Sequence, residues 1–323
     1  MPHHVSARAT GSNSSLANIV WPALPLAIAL AQGALVPGPT ATPAAGPPHA
    51  AGKGIAISCT LPFDAIKVHH PIDDSCPASG ISTPNTPQAA QNEAKNDFCS
   101  SGTPVSVTFA TLRQLQAEAA SKVTFGSDSK LPTDRSLLKS LPSPSGTIGE
   151  GTLVRLAAYV IDAHYSNVGA GESVNCKQPD QESNDIHIVL GEKSNKDDEC
   201  SSATAEMSPH FRPATWTPTN LNQNNAHLYR FTGHLFFDGS HLPCSGDQGP
   251  NPKRSSLWEI HPVYGVDICM DPSNKCTVDN DVGWVSLSDQ IGVETRLKAP
   301  EMQRDAVFIS QASLRDWSSG PYH

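Results

Sequence analysis

Period-two alternation marks the second half of the chain. Between His227 and Phe237, Tyr229, Phe231, Leu235 and Phe237 fall on one side and Arg230, Thr232 and His234 on the other, as in a half-buried strand. Ser256 to Cys269 is the most sheet-like stretch, and Asp185 to Leu190 repeats the pattern with Ile186, Ile188 and Leu190 on one face. Thr152 to His164 reads as a long strand whose alanines suit a tightly curved wall, and a short strand is expected around Ala203 to Met207. Ser208 to Ala226 carries Pro209, Pro213 and Pro218 and leaves room for one broken helix at most. Three strands, a helical segment and two more strands form the order of an OB-like five-stranded barrel, used mostly for binding. Gly233 supplies the bend where the wall closes.

The first half is mixed. Gln88 to Asp97 predicts a short helix and Val105 to Phe109 a strand. Thr111 to Ala120 predicts a helix capped by Thr111, with Leu112, Leu115 and Ala119 as its apolar face. The Pro/Ser-rich stretch from Lys130 to Gly149 places a boundary between a small α+β subdomain, 55–149, and the barrel, 150–270. The fold class is mainly β. A C-terminal extension, 271–323, holds two candidate strands, Gly283 to Leu287 and Ala306 to Ser310.

Composition changes the picture at the N-terminus. With 28 Pro and 23 Gly and only 16% charged residues, a good part of the chain must be loop or linker. The segment 32–54 is almost only Pro, Ala, Gly and Thr, which buries too little apolar surface to offset its ordering entropy, and it reads as a disordered linker. Ahead of it, Arg8 precedes an apolar run from Ile19 to Ala31 that ends in small-x-small steps at Ala27/Ala29 and Ala29/Ala31. That run is too short to span a membrane and reads as the core of an export signal, 1–31, with an uncleaved anchor as the alternative. No transmembrane span is expected after cleavage, and the compartment is periplasmic or extracellular.

Charge and cysteine usage narrow the partners. The formal net charge of −9, with acidic residues clustered between Asp180 and Glu199, disfavours nucleic acid. None of the eight cysteines sits in a Cys-x-x-Cys pair, so disulfides are preferred over zinc or thiol exchange. Three pairings are expected: Cys59 with Cys76, Cys176 with Cys200, and Cys269 with Cys276 across a short loop.

Candidate chemistry is sparse. Asp185 and His187 stand two apart on one strand, as do Glu259 and His261 on another, so each pair points to a single face. Were the faces to converge, the four residues would form a divalent-metal site or an acid/base cluster. The alternative is a polar, half-exposed outer face, since Ile186, Ile188, Trp258 and Ile260 claim the inner one and the third strand separates the two pairs. Arg230 adds to the polar face of the fourth strand. In the loops, Tyr165 and Trp216 are candidates for stacking on a sugar or base, Glu172 lies where such barrels often meet ligands, and Lys253 and Arg254 make a small basic spot. His69 or His70 with Asp73 or Asp74 offers a further cation site, against the reading of a simple turn before and after Pro71. His-Glu-x-x-His, Gly-x-Ser-x-Gly, a phosphate-binding glycine loop and a dinucleotide fingerprint are all absent.

The segments Phe63 to Cys76, Glu172-Ser-Val-Asn-Cys176 with Asp185-x-His187, and Leu257-Trp-Glu-Ile-His-Pro-Val263 together resemble a group of uncharacterised exported bacterial proteins with an OB-like core. The resemblance covers roughly Ser58 to Cys269 and implies a fold and a compartment but no reaction. Two readings follow. One is an exported OB-like binding or structural module with a glycan or peptide ligand; the other is a metal-dependent hydrolase acting on phosphodiesters through Asp185, His187, Glu259 and His261.

Overall fold

The computed structural model describes residues 63–67, 72–99, 102–245 and 253–292. The expected signal and linker, Cys59, His69, His70 and the candidate strand at Ala306 to Ser310 lie outside these residues.

The chain runs α1 (Phe63–Ile66), α2 (Pro87–Lys95), β1 (Val105–Val107), α3 (Phe109–Ala120), β2 (Leu141–Ser143), β3 (Gly146–Ile148), β4 (Leu153–Tyr165), β5 (Ile186–Gly191), β6 (Ala203–Met207), α4 (Pro218–Gln223), β7 (Leu228–Phe237), β8 (Trp258–Cys269) and β9 (Trp284–Ser286). Strands β4, β5, β6, β8 and β7 are neighbours in that order, and β7 pairs back onto β4 to close a five-stranded barrel. All barrel pairings are antiparallel except β6 with β8, which is parallel. The expected OB-like barrel is therefore present, each strand within two residues of its place in the sequence reading.

The long β4 serves two neighbours. Its first half, Leu153 to Tyr159, pairs with β7, and its second half, Tyr159 to Tyr165, pairs with β5. A register shift between Val160 and Asp162 bends it, and Asn222 of α4 spans the bend by donating to Ala163 O and accepting from Ala163 N. At the opposite wall, the β7–β8 register slips on either side of Gly233. A Cβ there would stand 2.4 Å from Pro262 O, so this close approach of two backbones admits only glycine.

Inward positions form the core. Ile186, Ile188, Leu190, Ala205, Met207, Phe231, Leu235, Phe237, Trp258 and Ile260 are all buried in one hydrophobic cluster. At ~25 cal/mol per Å2 of apolar area removed from water, such side chains dominate the stability of the barrel. Trp216 and Leu221 join the same cluster, as do Val107, Phe109, Leu112, Leu115, Ala119, Leu138 and Leu141 from the N-terminal half. The first and second halves of the chain thus share a core, and β1 adds to the edge of β4 in parallel.

α3 starts two residues before its expected beginning. Thr108, not Thr111, is the cap: its hydroxyl accepts from Thr111 N while Thr108 N donates to Thr111 Oγ1. The reciprocal box satisfies two otherwise orphaned donors, which a single capping threonine at 111 would not. Leu112, Leu115 and Ala119 form the buried face as expected. In the C-terminal extension, β9 pairs with β8.

Among the described residues, three disulfides join Cys76 to Cys176, Cys200 to Cys244, and Cys269 to Cys276. The last was expected. The pairings of Cys76 with Cys59 and of Cys176 with Cys200 are not found, because the loop after β4 folds back onto the segment preceding α2 and presents Cys176 to Cys76. Cys200, before β6, meets Cys244 in the loop after β7 instead. None of the described helices is long and apolar enough to cross a membrane.

Candidate functional site

Alternation in β5, β6 and β8 sends His187, Glu206, Glu259 and His261 to the outer face of the barrel, opposite the isoleucines. Most of that face is covered. The last turn of α2 brings Lys95 over it, and the loop between β4 and β5 brings Glu172 and Asp185. Asp185, Glu206, Glu259 and His261 are each no more than 1% exposed, so the expectation of a half-exposed polar face holds for His187 and is corrected for Asp185, Glu259 and His261: alternation determines the face but not what covers it.

The loop is held in place by its own polar side chains. Glu172 accepts from Ser166 Oγ at 2.8 Å and from Asn175 Nδ2 at 3.1 Å. Asn175 Nδ2 also donates to Asp185 Oδ1 at 3.1 Å, and Asn184 donates to Gln178 O and Asp180 O. The Cys76–Cys176 bridge, the Ile81 N to Ser173 O hydrogen bond and the Ser173 Oγ to Asn92 Oδ1 hydrogen bond fasten the loop to α2 and the segment before it.

Six ionisable groups meet there. Lys95 Nζ lies 2.6 Å from Glu206 Oε2, 3.3 Å from Asp185 Oδ2 and 3.8 Å from Glu172 Oε1. His187 Nε2 is 2.6 Å from Glu206 Oε1 and 3.5 Å from Glu172 Oε1. His261 Nε2 is 3.2 Å from Asp185 Oδ2 and 3.7 Å from Glu206 Oε2.

Mutual attraction outweighs the cost of burial in this cluster. Burial pulls the Lys95 ammonium down, but Glu206, Glu172 and Asp185 together hold it well above the usual lysine range. For His187, burial is again opposed by Glu206 and Glu172, and the imidazole is held well above its ordinary value. Burial favours the neutral form of each carboxyl, yet the neighbouring cations hold Glu172 and Asp185 below the usual carboxylate range and Glu206 well below it. Three carboxylates thus face two cations before His261 is counted.

Glu259 belongs to a neighbouring group. Arg254 is in contact with the Glu259 carboxyl and donates to Asp238 Oδ2 at 2.8 Å. Burial and the nearby Glu206 push the Glu259 carboxyl up to about 8 against the pull of Arg254, whereas Asp238, also opposed by burial, is held low by Arg254 and His241.

The six-group cluster reaches solvent through a cleft of about 440 Å3 whose lining includes Lys95, Glu172, Lys177, His187, Glu206 and Asp238. The lining contains no Phe, Tyr or Trp.

Of the four strand residues singled out in the sequence, Asp185, His187 and His261 come together and Glu259 stands beside them. Glu172 joins the cluster. The remaining candidates are elsewhere. Trp216 is buried in the core and Tyr165 packs under the Arg212 guanidinium, so neither ring is presented to the cleft. Arg230 is buried, pairs with Asp267 and Asp281, donates to Asn280 O and lies against the Trp284 ring. Arg254 is buried rather than part of a surface spot, and Lys253 is exposed 3.6 Å from Glu199. Asp73 does lie in a turn, but it is buried 2.6 Å from His210 Nδ1.

Lys95 and Glu206 were not singled out in the sequence. Glu206 carried a signal, since it is the one charge in the strand between the two paired motifs. Lys95 carried none beyond its place at the end of a helix.

Compared with known proteins, the chain matches no protein-family model, no curated protein and no solved structure.

Proposed function

We propose that this chain is an exported OB-like binding protein whose ligand enters the cleft above Lys95, Glu172, His187 and Glu206. One observation carries the reading: three buried carboxylates, two imidazoles and an ammonium from separate segments converge at the wall of an open cleft. Burying charge is costly even when paired, and such clusters in clefts concentrate at functional sites. Three disulfides fit an oxidising compartment, which supports export.

The lining defines the ligand class. With no Phe, Tyr or Trp in the cleft, stacking is left to the imidazoles of His187 and His241. Ammonium, carboxylate and amide groups suit a polar, charged ligand such as a peptide or an acidic glycan, bound through hydrogen bonds and ion pairs. A second reading, hydrolysis with phosphodiesters among the substrates, is favoured by the juxtaposition of Asp185, Glu206 and His261, whose carboxylates and imidazole suit proton transfer or metal binding. Its residue set is then Asp185, His187, Glu206 and His261, with Glu259 held by Arg254.

The test is a calorimetric and thermal-shift screen of peptides, acidic oligosaccharides and phosphodiesters against the full chain and its Lys177→Glu variant. A ligand that stabilises the wild type and binds the variant more weakly supports the reading. Binding that ignores the substitution would place the ligand elsewhere.

A further inference from the structure

Asp185, Glu206 and His261 each turn one donor atom toward the others, all within 4.8 Å of one another. His261 Nε2 stands 3.2 Å from Asp185 Oδ2 and 3.7 Å from Glu206 Oε2. Ligands about 2.1 Å from a divalent ion such as zinc are separated from each other by roughly 3.0–3.4 Å, so the His261–Asp185 spacing is that of a coordination shell and the Glu206 oxygen would have to close in on an ion. The same two oxygens face the Lys95 ammonium at 3.3 and 2.6 Å, and the Glu206 Oε2 contact lies outside hydrogen-bond geometry. Glu206 also lines the cleft, which gives an ion a route in.

We propose that Asp185, Glu206 and His261 form a divalent transition-metal site, with the Lys95 ammonium as the cation that the metal must displace. Two carboxylate oxygens and an imidazole nitrogen favour Mn2+, Fe2+ or Zn2+ over Mg2+ and Ca2+, which take oxygen donors. Glu172 and His187 stand outside this group, Glu172 against Lys95 and His187 against the other Glu206 oxygen. The ion would sit at the floor of the cleft, so this inference deepens the cleft reading and depends on it only for access.

Calorimetric titration of the chelator-treated, disulfide-intact full chain with Mn2+, Zn2+ and Mg2+ tests the site. One Mn2+ or Zn2+ should bind per chain, with Mg2+ weaker. Lys95→Met, which removes the competing cation and keeps the length of the side chain, should tighten binding by roughly tenfold, and His261→Gln should weaken it by roughly tenfold or more. Circular dichroism identifies folded variants, and the Lys95→Met gain stands even where the His261 variant does not fold. No saturable binding to either the wild type or Lys95→Met would overturn the site. Zinc binding indifferent to both substitutions, arising at exposed His164 or half-buried His241, would overturn it equally. Metal binding without any cleft ligand would leave the metal site and remove the binding-protein reading, and the converse result would do the opposite.

Discussion

Asp185 Oδ2 and His261 Nε2 meet at 3.2 Å although 76 positions separate them and β6 runs between their strands. The contact spans β6 because Asp185 lies at the end of a loop, just before β5, and is directed over the strand by Asn175. Removing one partner of such a buried hydrogen bond leaves the other unsatisfied, at a cost of about 1–3 kcal/mol. Asp185→Ala and His261→Ala are each expected to destabilise the fold on that scale. Their double variant should cost less than the sum, because the two share one network. Urea denaturation of the four proteins checks this, and strict additivity would mean that the contact contributes nothing.

A pH dependence follows from Glu259. Its folded-state value of about 8 lies above the ordinary 4.5, so the folded chain holds a proton that the unfolded chain gives up. The group's contribution is full below 4.5, declines as pH rises, and is gone above about 8. His187, also raised, acts in the same direction, whereas Asp185 and Glu206, both lowered, contribute above the usual carboxylate range and lose their contribution in acid. The informative quantity is therefore the difference between wild type and Glu259→Gln. The variant is expected to show a flatter loss of stability between pH 5 and pH 8 in denaturant titrations. Parallel pH profiles would contradict the raised value.

The barrel was legible in the sequence, and the reason is local. Period-two alternation around Ile186, Ile188, Phe231 and Ile260 reports burial on one face directly, and Gly233 marks where two backbones approach. The pairing of Asp185 with His187 and of Glu259 with His261 on common faces was legible for the same reason. What covers those faces was not. Lys95 arrives from a helix some ninety positions before His187, as a consequence of tertiary packing alone, and an isolated lysine at a helix end is most often solvated. Glu206 was within reach: with Ala203, Ala205 and Met207 turned inward, it had to share the outer face of its neighbours. Cysteine connectivity could not be read from spacing, since Cys76 and Cys176 are joined by the path of a loop rather than by proximity in sequence.

Gly80 tests how the cleft loop is seated. Its φ is +56°, and a Cβ there would stand 2.1 Å from Ser173 O, the carbonyl that accepts from Ile81 N. Gly80→Ala must adopt a left-handed conformation and push the loop that carries Glu172, at a cost of about 1–3 kcal/mol for the backbone alone. Gly265→Ala is the control, since its new methyl would meet Thr232 Cβ at 3.6 Å, an ordinary contact. Thermal melts should separate the two variants clearly, with Gly265→Ala within about 0.5 kcal/mol of wild type. Equal effects would mean that the loop does not rest on Gly80.

The disulfides should differ in both magnitude and consequence. In the chain-entropy account, a bridge stabilises by restricting the unfolded chain, more so for a longer loop. Cys76 and Cys176 are 100 positions apart and Cys269 and Cys276 only 7, so replacing each pair by serine should cost about 4.7 and about 2.5 kcal/mol respectively. The consequences diverge because Cys176 lies in the loop that carries Glu172 and Asn175, whereas Cys269 and Cys276 fasten the turn beside β9. Amide hydrogen exchange should therefore accelerate between residues 172 and 178 in Cys76→Ser/Cys176→Ser and remain unchanged there in Cys269→Ser/Cys276→Ser. Loss of protection at that loop in both variants would mean that global stability, rather than the local tie, holds the charged cluster together.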